Sequence, residues 1–176
     1  MPARQPLPRA WLVTDERHGD EFLPAVERLP FGSGILFRHY SLAEGERGAL
    51  FRDVRTVARR RGHLLLLAGT PTLARRWGAD GWHGRGRGGG LHSASVHDLA
   101  EVRAAERAGA SILFVSPIYP TRSHPGSPTL GEDGFARLAH RTELPVIALG
   151  GMNRNRARRL MALGAYGWAA VDAWLA

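Results

Sequence analysis

Residues 145–172 read PVIALGGMNRNRARRLMALGAYGWAAVD and contain the pattern that decides the fold. A continuous apolar run ends in Gly150–Gly151, a segment with helical spacing follows, and a second apolar run begins at Gly167. Short apolar runs of this kind are typical of strands buried on both faces of a parallel sheet. The stretch therefore predicts a strand, a helix and a second parallel strand.

The same alternation extends back to residue 10 and predicts eight strands. They are placed at residues 10–13, 34–37, 64–67, 79–82, 90–95, 112–115, 145–149 and 167–171. Predicted helical segments cover residues 20–29, 45–61, 72–77, 98–107, 134–140 and 155–163. Eight parallel strands alternating with helices predict an α/β fold, a TIM-like (β/α)8 parallel barrel. Residues 1–9 are then an N-terminal tail, and residues 10–176 form a single barrel domain.

This predicted barrel is trimmed at two places. Residues 84–90 are too few for a helix between strands four and five, and no final helix follows strand eight. Missing helices leave apolar strand faces uncovered. Trp82, Trp168 and Trp174 lie near the two gaps, where they either cover these faces or dock against a second subunit. A homodimer is therefore one expectation.

The composition excludes several classes of protein. With no cysteine among the 176 residues, the chain has no disulfides, thiolate catalysis or zinc–sulfur sites. With no lysine it has no Schiff-base chemistry, because a guanidinium group stays charged. No apolar run is long enough to span a bilayer, and residues 1–9 lack the apolar core of a secretory signal. A cytoplasmic protein is expected.

The formal net charge of +8 comes from an excess of arginine. Such a charge suits anionic substrates or nucleic acid, or it reflects arginine replacing lysine on a solvated surface. The run GRGRGGG at residues 84–90 has only two arginines and no interleaved aromatic residue, so binding of nucleic acid is not expected. A flexible bridge in place of a deleted helix is the preferred interpretation.

The paired glycines Gly150 and Gly151 are a candidate anion site. Glycines at a strand end let the backbone approach a ligand, and the helix that follows adds free amides and a positive dipole end. In barrels, the loops after strands seven and eight often bind phosphate. The alternative is a plain tight turn in which Asn153 caps the helix.

Several segments resemble the thiamine phosphate synthase/TenI family. The Gly-Gly strand end resembles the family's closing pattern, and residues 95–99 (SVHDL) resemble its Ser-x-His element. Residues 108–110 and 114–121 resemble its Gly-Ala-Asp strand and Gly-Pro-x-x-x-Thr loop, and residues 11–15 resemble its first strand. The resemblance implies a small phosphorylated heterocycle, of the thiazole phosphate type, as the ligand. The substrate-binding or phosphate-binding positions that it implies are Arg38, Ser95, Thr121, Ser123, Gly150, Gly151, Val171 and Asp172.

The family's synthase reaction joins a pyrimidine diphosphate to a thiazole phosphate and uses magnesium. The resemblance places its metal-binding acids after strands three and four, where this chain has Ala68–Gly69 and the Gly/Arg run after His83. Asp172 stands where the family usually has a small hydroxyl residue, and a carboxylate there repels phosphate unless it turns away or is protonated. We therefore expect no metal site and no cofactor.

The TenI branch performs a proton shift on the thiazole without a metal, and its acid/base histidine matches His97. Histidine titrates near neutrality, which suits this role. Its ring is expected to be oriented by Ser95 or Asp98. Three functions stay open: metal-free thiazole tautomerisation, the full synthase reaction, and a catalytically silent phosphate-binding protein in which His97 only begins a helix.

Overall fold

The computed structural model describes residues 6–122 and 125–175. Its strands are β1 (Ala10–Val13), β2 (Gly34–Phe37), β3 (Leu64–Ala68), β4 (Gly81–His83), β5 (Leu91–Val96), β6 (Ile112–Val115), β7 (Val146–Leu149) and β8 (Gly167–Ala170). Each strand pairs in parallel with the next, and β8 pairs with β1, so that the sheet closes into a barrel. The predicted TIM-like barrel is confirmed.

Six α-helices cover the outside of the barrel in the described residues. They are α1 (Phe22–Arg28), α2 (Glu44–Arg60), α3 (Pro71–Trp77), α4 (Leu99–Arg107), α5 (Gly131–Ala139) and α6 (Arg154–Ala162). The first predicted helix is wrong in part, because residues 16–21 form a 3-10 segment with a kink at Gly19 and α1 begins only at Phe22. No helix in the described part of the chain is long and apolar enough to cross a membrane.

The interior of the barrel is filled by large apolar side chains. The rings of Trp11 and Phe114 meet edge to face with their centroids 5.4 Å apart. Gly34 makes room for this packing, since a Cβ atom there would lie 2.2 Å from the Trp11 ring. Because these side chains fill the interior, the barrel has a packed core and no channel through it. Ligands therefore bind at the ends of the strands.

Aromatic pairs cover the strands at the two gaps. Between β4 and β5, Trp82 stacks on His92 with ring centroids 3.8 Å apart, and Trp82 is 2% exposed. After β8, Trp174 stacks on Trp168 at 4.7 Å and donates from Nε1 to the carbonyl oxygen of Trp11 at 2.8 Å. The chain therefore covers both gaps with its own rings. These strand faces are therefore covered, so they no longer argue for a homodimer. The homodimer itself stays a prediction.

Candidate active site

A cavity of about 750 Å³ opens at the C-terminal ends of the strands. The structure brings to it His97 and all but one of the predicted binding residues, and Ser123 lies outside the described residues. The predicted residues that line the cavity are Arg38, Ser95, His97, Thr121, Gly150, Gly151, Val171 and Asp172. The predicted residues at the C-terminal ends of β2, β5, β6, β7 and β8 therefore share one cavity, and their assignment to a binding site stays a prediction.

His97 stands between the end of β5 and the start of α4. Asp98 caps the helix by accepting a hydrogen bond from the Glu101 amide at 2.8 Å. One turn later, the Glu101 carboxylate returns to His97, so that its Oε2 lies 2.6 Å from Nδ1 and accepts from the His97 amide at 2.8 Å. An ionised carboxylate at this distance favours the tautomer with a proton on Nδ1, which leaves Nε2 as a base.

The expected orientation of His97 by Ser95 or Asp98 is wrong. Asp98 serves as the helix cap, and the Ser95 hydroxyl contacts His83 instead. The orienting residue is Glu101, whose second oxygen, Oε1, accepts from Arg85 at 3.0 Å. A glutamate four residues after the histidine on a predicted helix was the signal for this pair.

His83 is a site residue that sequence reasoning missed. It ends β4 and lines the cavity, and its ring nitrogens lie between two hydroxyls: Nδ1 is 2.8 Å from Ser93 Oγ and Nε2 is 3.0 Å from Ser95 Oγ. Burial, with smaller contributions from Arg38 and His92, lowers its pKa to about 4. The imidazole is therefore neutral at physiological pH and holds the Ser95 hydroxyl at the cavity wall. Its position at a strand's C-terminal end was the available signal.

The loop of residues 150–153, here called the cup, joins β7 to α6. Asn153 caps α6 by accepting from the Arg156 amide at 3.0 Å, as the alternative interpretation predicted. Within the described residues, the amides of Gly151 and Met152 donate to no backbone carbonyl. Two free amides beside the N-terminus of a nine-residue helix are suited to bind an anion.

The glycines of the cup are required for a different reason from the one that the sequence suggested. Both have positive φ angles, 101° at Gly150 and 62° at Gly151. A Cβ atom on Gly150 would lie 2.8 Å from the Cα of Pro117, and one on Gly151 would lie 2.6 Å from the carbonyl oxygen of Pro120. The loop after β6 fills the space that a side chain would need. The glycines therefore allow two loops to meet and shape the cavity wall.

Asp172 neither turns away from the cavity nor stands unpaired. Its Oδ1 lies 2.9 Å from His18 Nε2 and 3.7 Å from Arg17 Nη2, while its Oδ2 lies 3.1 Å from Arg122 Nη2. These cationic or donor groups offset the negative charge, so that the carboxylate does not act on the cup as an isolated anion. No pattern in the sequence predicts this cluster, because its members come from three loops that are far apart in the chain.

The two places where metal-binding acids were sought do not fit magnesium. β3 ends at Ala68 and is followed by Gly69, and no carboxylate side chain stands at the end of β4. Arg47 donates from Nη2 to the carbonyl oxygens of Arg38 and Ala68 at 2.6 Å each, so that a guanidinium group already bonds the carbonyls there. Magnesium needs oxygen ligands, usually carboxylate or phosphate. In the described parts of the chain no three His, Cys, Asp or Glu side chains form a possible metal site.

Comparison with known proteins identifies the family. The family profile described as thiamine monophosphate synthase matches residues 90–174. The putative thiamine-phosphate synthase 2 of Aquifex aeolicus is 28% identical in an alignment that covers 96% of this chain and 98% of that protein. The chain belongs to the thiamine phosphate synthase/TenI family. A second family member, the thiamine-phosphate synthase of Chloroflexus aurantiacus, is 32% identical over 70% of this chain and 63% of its own length.

The fold of the family is also found among solved structures. A thiamine phosphate pyrophosphorylase from Pyrococcus furiosus superposes with a TM-score of 0.80, covering 95% of this chain and 87% of that chain at 23% identity. The chain spans 36% of a bifunctional thiamine biosynthesis protein, ThiED, of Geobacter sulfurreducens, at 27% identity. The family profile covers the part of the barrel from β5 onward, which contains His97 and the cup.

Proposed function

We propose that this chain binds a phosphorylated thiazole and shifts a proton on its ring without a metal ion. The observation that carries the proposal is the position of His97, which is held by Glu101 and lines the same cavity as the cup. In this proposal the cup binds an anion on one side of the cavity, and His97 presents an acid/base group on another side. Membership of the family supports a thiamine precursor as the ligand.

The cup supplies the binding half of this function. Free amides at Gly151 and Met152 and the N-terminus of α6 favour a phosphate group. The guanidinium groups of Arg38 and Arg122 also line the cavity. Because binding is anchored at the phosphate, the attached ring lies over the cavity wall that His97 and Ser95 help to form.

The proton-transfer half rests on the pair of His97 and Glu101. With a proton on Nδ1 held by the carboxylate, Nε2 accepts a proton from a ring carbon of the thiazole and later returns it to another carbon of the same conjugated system, so that the proton count of the ligand is unchanged. The carboxylate stabilises the imidazolium that exists between the two steps. The Ser95 hydroxyl, fixed by the neutral His83, is a hydrogen-bonding group placed to hold the ring during the exchange.

The synthase reaction is the second candidate, and the names of the relatives favour it. It requires the negative charge of a leaving pyrophosphate to be neutralised. Arg38 is already engaged, because its Nε donates to the Thr14 carbonyl oxygen at 3.0 Å and its Nη2 contacts Asp15 at 3.2 Å, whose carboxylate offsets the charge. Because no carboxylate of residues 6–122 and 125–175 is placed for magnesium after β3 or β4, this reaction is less well supported. In the third candidate, a catalytically silent binding protein, the cup would bind phosphate and His97 would have no catalytic role.

One experiment separates the three functions. The purified chain is incubated with a carboxylated thiazole phosphate tautomer, and the isomers are followed by NMR in a chelator and again in magnesium. We expect equal rates of isomerisation in both. In a parallel reaction with pyrimidine diphosphate and magnesium we expect no thiamine phosphate above background. Magnesium-dependent formation of thiamine phosphate would establish the synthase reaction, and binding without either conversion would establish the silent protein.

A further inference from the structure

The cavity contains an anion of its own. Among its described lining residues the only carboxylate is Asp172, at the end of β8, whereas Arg38 and Arg122 contribute guanidinium groups. A carboxylate at this position competes with any anionic ligand for the same cations. The partners of Asp172 therefore bear directly on what the cavity binds.

Donors from two loops converge on this single side chain. Arg17 and His18 come from the segment after β1, and Arg122 comes from the loop after β6. Arg122 contacts one oxygen of Asp172 through both Nε, at 3.2 Å, and Nη2, at 3.1 Å. His18, whose side chain is 12% exposed, contacts the other oxygen at 2.9 Å. The carboxylate thus has the contacts that a bound phosphate oxygen would make.

The contact with Arg122 is exchangeable. The Arg122 side chain is 78% exposed and that of Asp172 is 32% exposed, and ion pairs with this degree of exposure contribute little to stability. A phosphate monoester carries more negative charge than a carboxylate and accepts two parallel hydrogen bonds from a guanidinium group. A phosphate in the cavity therefore offers Arg122 a stronger partner than Asp172 does.

We propose that Asp172 is an internal competitor for the phosphate of the ligand and that Arg122 transfers from Asp172 to this phosphate on binding. The inference rests on the proposed phosphate ligand and adds two residues to its recognition. Arg122 is a ligand-binding residue, and Asp172 limits the affinity by occupying Arg122. After the transfer, Asp172 keeps His18 and Arg17 as partners, so that its charge stays compensated.

Calorimetric titration at low ionic strength tests this with inorganic phosphate and with the thiazole phosphate as probes. Asp172→Asn keeps the size of the side chain and removes the competing charge, so that both probes are expected to bind about threefold tighter or more. Arg122→Gln is expected to weaken both by about tenfold. In the double variant the gain from Asp172→Asn is expected to vanish, because there is no Arg122 left to release.

The matched controls remove the same charges from the exposed surface of α2. Asp53→Asn and Arg52→Gln lie outside the cavity and are expected to leave both affinities unchanged. Thermal unfolding and circular dichroism establish that all variants are folded. Weaker or unaltered binding in folded Asp172→Asn would overturn the proposal, since the carboxylate would then position Arg122. A gain that persists in the double variant would overturn it too.

This outcome is independent of the catalytic proposal. The titrations measure binding alone, while the proton shift is measured as turnover at saturating ligand. If isomerisation fails but the two single variants and the double variant behave as expected, only the catalytic proposal falls. If phosphate binds to neither the natural chain nor Asp172→Asn, the competition is disproved, whatever the turnover.

Discussion

The two halves of the barrel differ at the C-terminal ends of their strands. From β5 onward, where the family profile matches, the ends carry His97, the cup and the loop after β6. From β1 to β4 they carry an arginine bonded to backbone carbonyls and a histidine held between serines. Both halves consist of short parallel strands that belong to one closed sheet. The difference therefore lies in short segments after the strands, which decide the chemistry while the barrel stays unchanged.

The comparison separates ligand binding from metal chemistry. The second half carries most of the groups for which we propose anion binding and proton transfer, and the first half has hydrogen-bond donors at the positions where the family resemblance puts metal ligands. Arg47 bonds the carbonyl oxygens at the ends of β2 and β3, which ties these strands together. We infer that, apart from Arg38, the strand ends of the first half serve mainly to hold the wall of the cavity. Three predictions test this division.

The largest effect is expected from His97→Asn, in the second half. Asparagine keeps a polar side chain but does not titrate, so that thiazole isomerisation should fall by about 100- to 10,000-fold. Ligand affinity should change little, because the cup is unaltered. The measurement is turnover by NMR together with calorimetric binding.

His140→Asn is the matched control, since His140 lies at the end of α5 outside the cavity and its Nδ1 donates to the Ala136 carbonyl oxygen of its own helix. It is expected to turn over at the natural rate. If His97→Asn also turns over at the natural rate, His97 is an ordinary residue at the start of a helix. The silent binding protein then becomes the better supported hypothesis.

An intermediate effect is expected from pH, through His83 in the first half. The pKa of His83 is about 4 in the folded chain and near 6.5 when unfolded, so that the unfolded state binds more protons between these values. The free energy of unfolding should therefore fall as pH decreases from 6.5 to 4, by up to about 3 kcal/mol from this residue. Above pH 7, His83 should cause no change in the free energy of unfolding, because it is neutral in both states.

Denaturant unfolding of the natural chain and of His83→Gln measures this contribution as the difference between their pH slopes. His39 and His63, whose pKa values are also lowered by burial, add to both curves and cancel in the difference. NMR titration of the imidazole gives the pKa directly. A value near 6.5 would show that His83 is open to water and that the first half does not hold a rigid wall.

The smallest effect is expected from Gly151→Ala in the cup. A Cβ atom would meet the Pro120 carbonyl oxygen on a backbone with positive φ, which should cost about 1 to 2 kcal/mol of unfolding free energy. Gly86→Ala is the control, because Gly86 also has a positive φ but no atom lies within 4 Å of its Cβ position. Equal losses in chemical denaturation would mean that the contact between the two loops is unimportant.

The sequence predicted the fold well because buried parallel strands leave a strong local signal. All eight strands lie within two residues of their predicted ends, and the short bridge at residues 84–90 correctly excluded a helix. The start of β4 was set too early. Asp80 is outside the strand and instead accepts a hydrogen bond from the Leu65 amide at 2.8 Å, and no pattern of apolar residues reveals such a contact.

The sequence predicted which residues come together at the strand ends better than it predicted which side chains they contact. Strand ends meet at one end of a barrel, so that His97, Arg38 and the cup had to share a cavity. The pairing of Asp172 with Arg122 and His18 depends on loops that fold against one another across the chain, and spacing carries no information on it. The same holds for the contact of Gly151 with Pro120, which only the three-dimensional packing shows.

The aromatic pair at the end of the chain gives the protein an optical signal. The indole planes of Trp168 and Trp174 lie 23° apart with their ring centroids separated by 4.7 Å. We expect this pair to contribute a band to the circular dichroism spectrum that disappears when the rings separate. Because Trp174 is bonded to Trp11 on β1, the band reports whether the segment after β8 remains docked across the seam of the barrel. Closure of the barrel can thus be followed spectroscopically without a label.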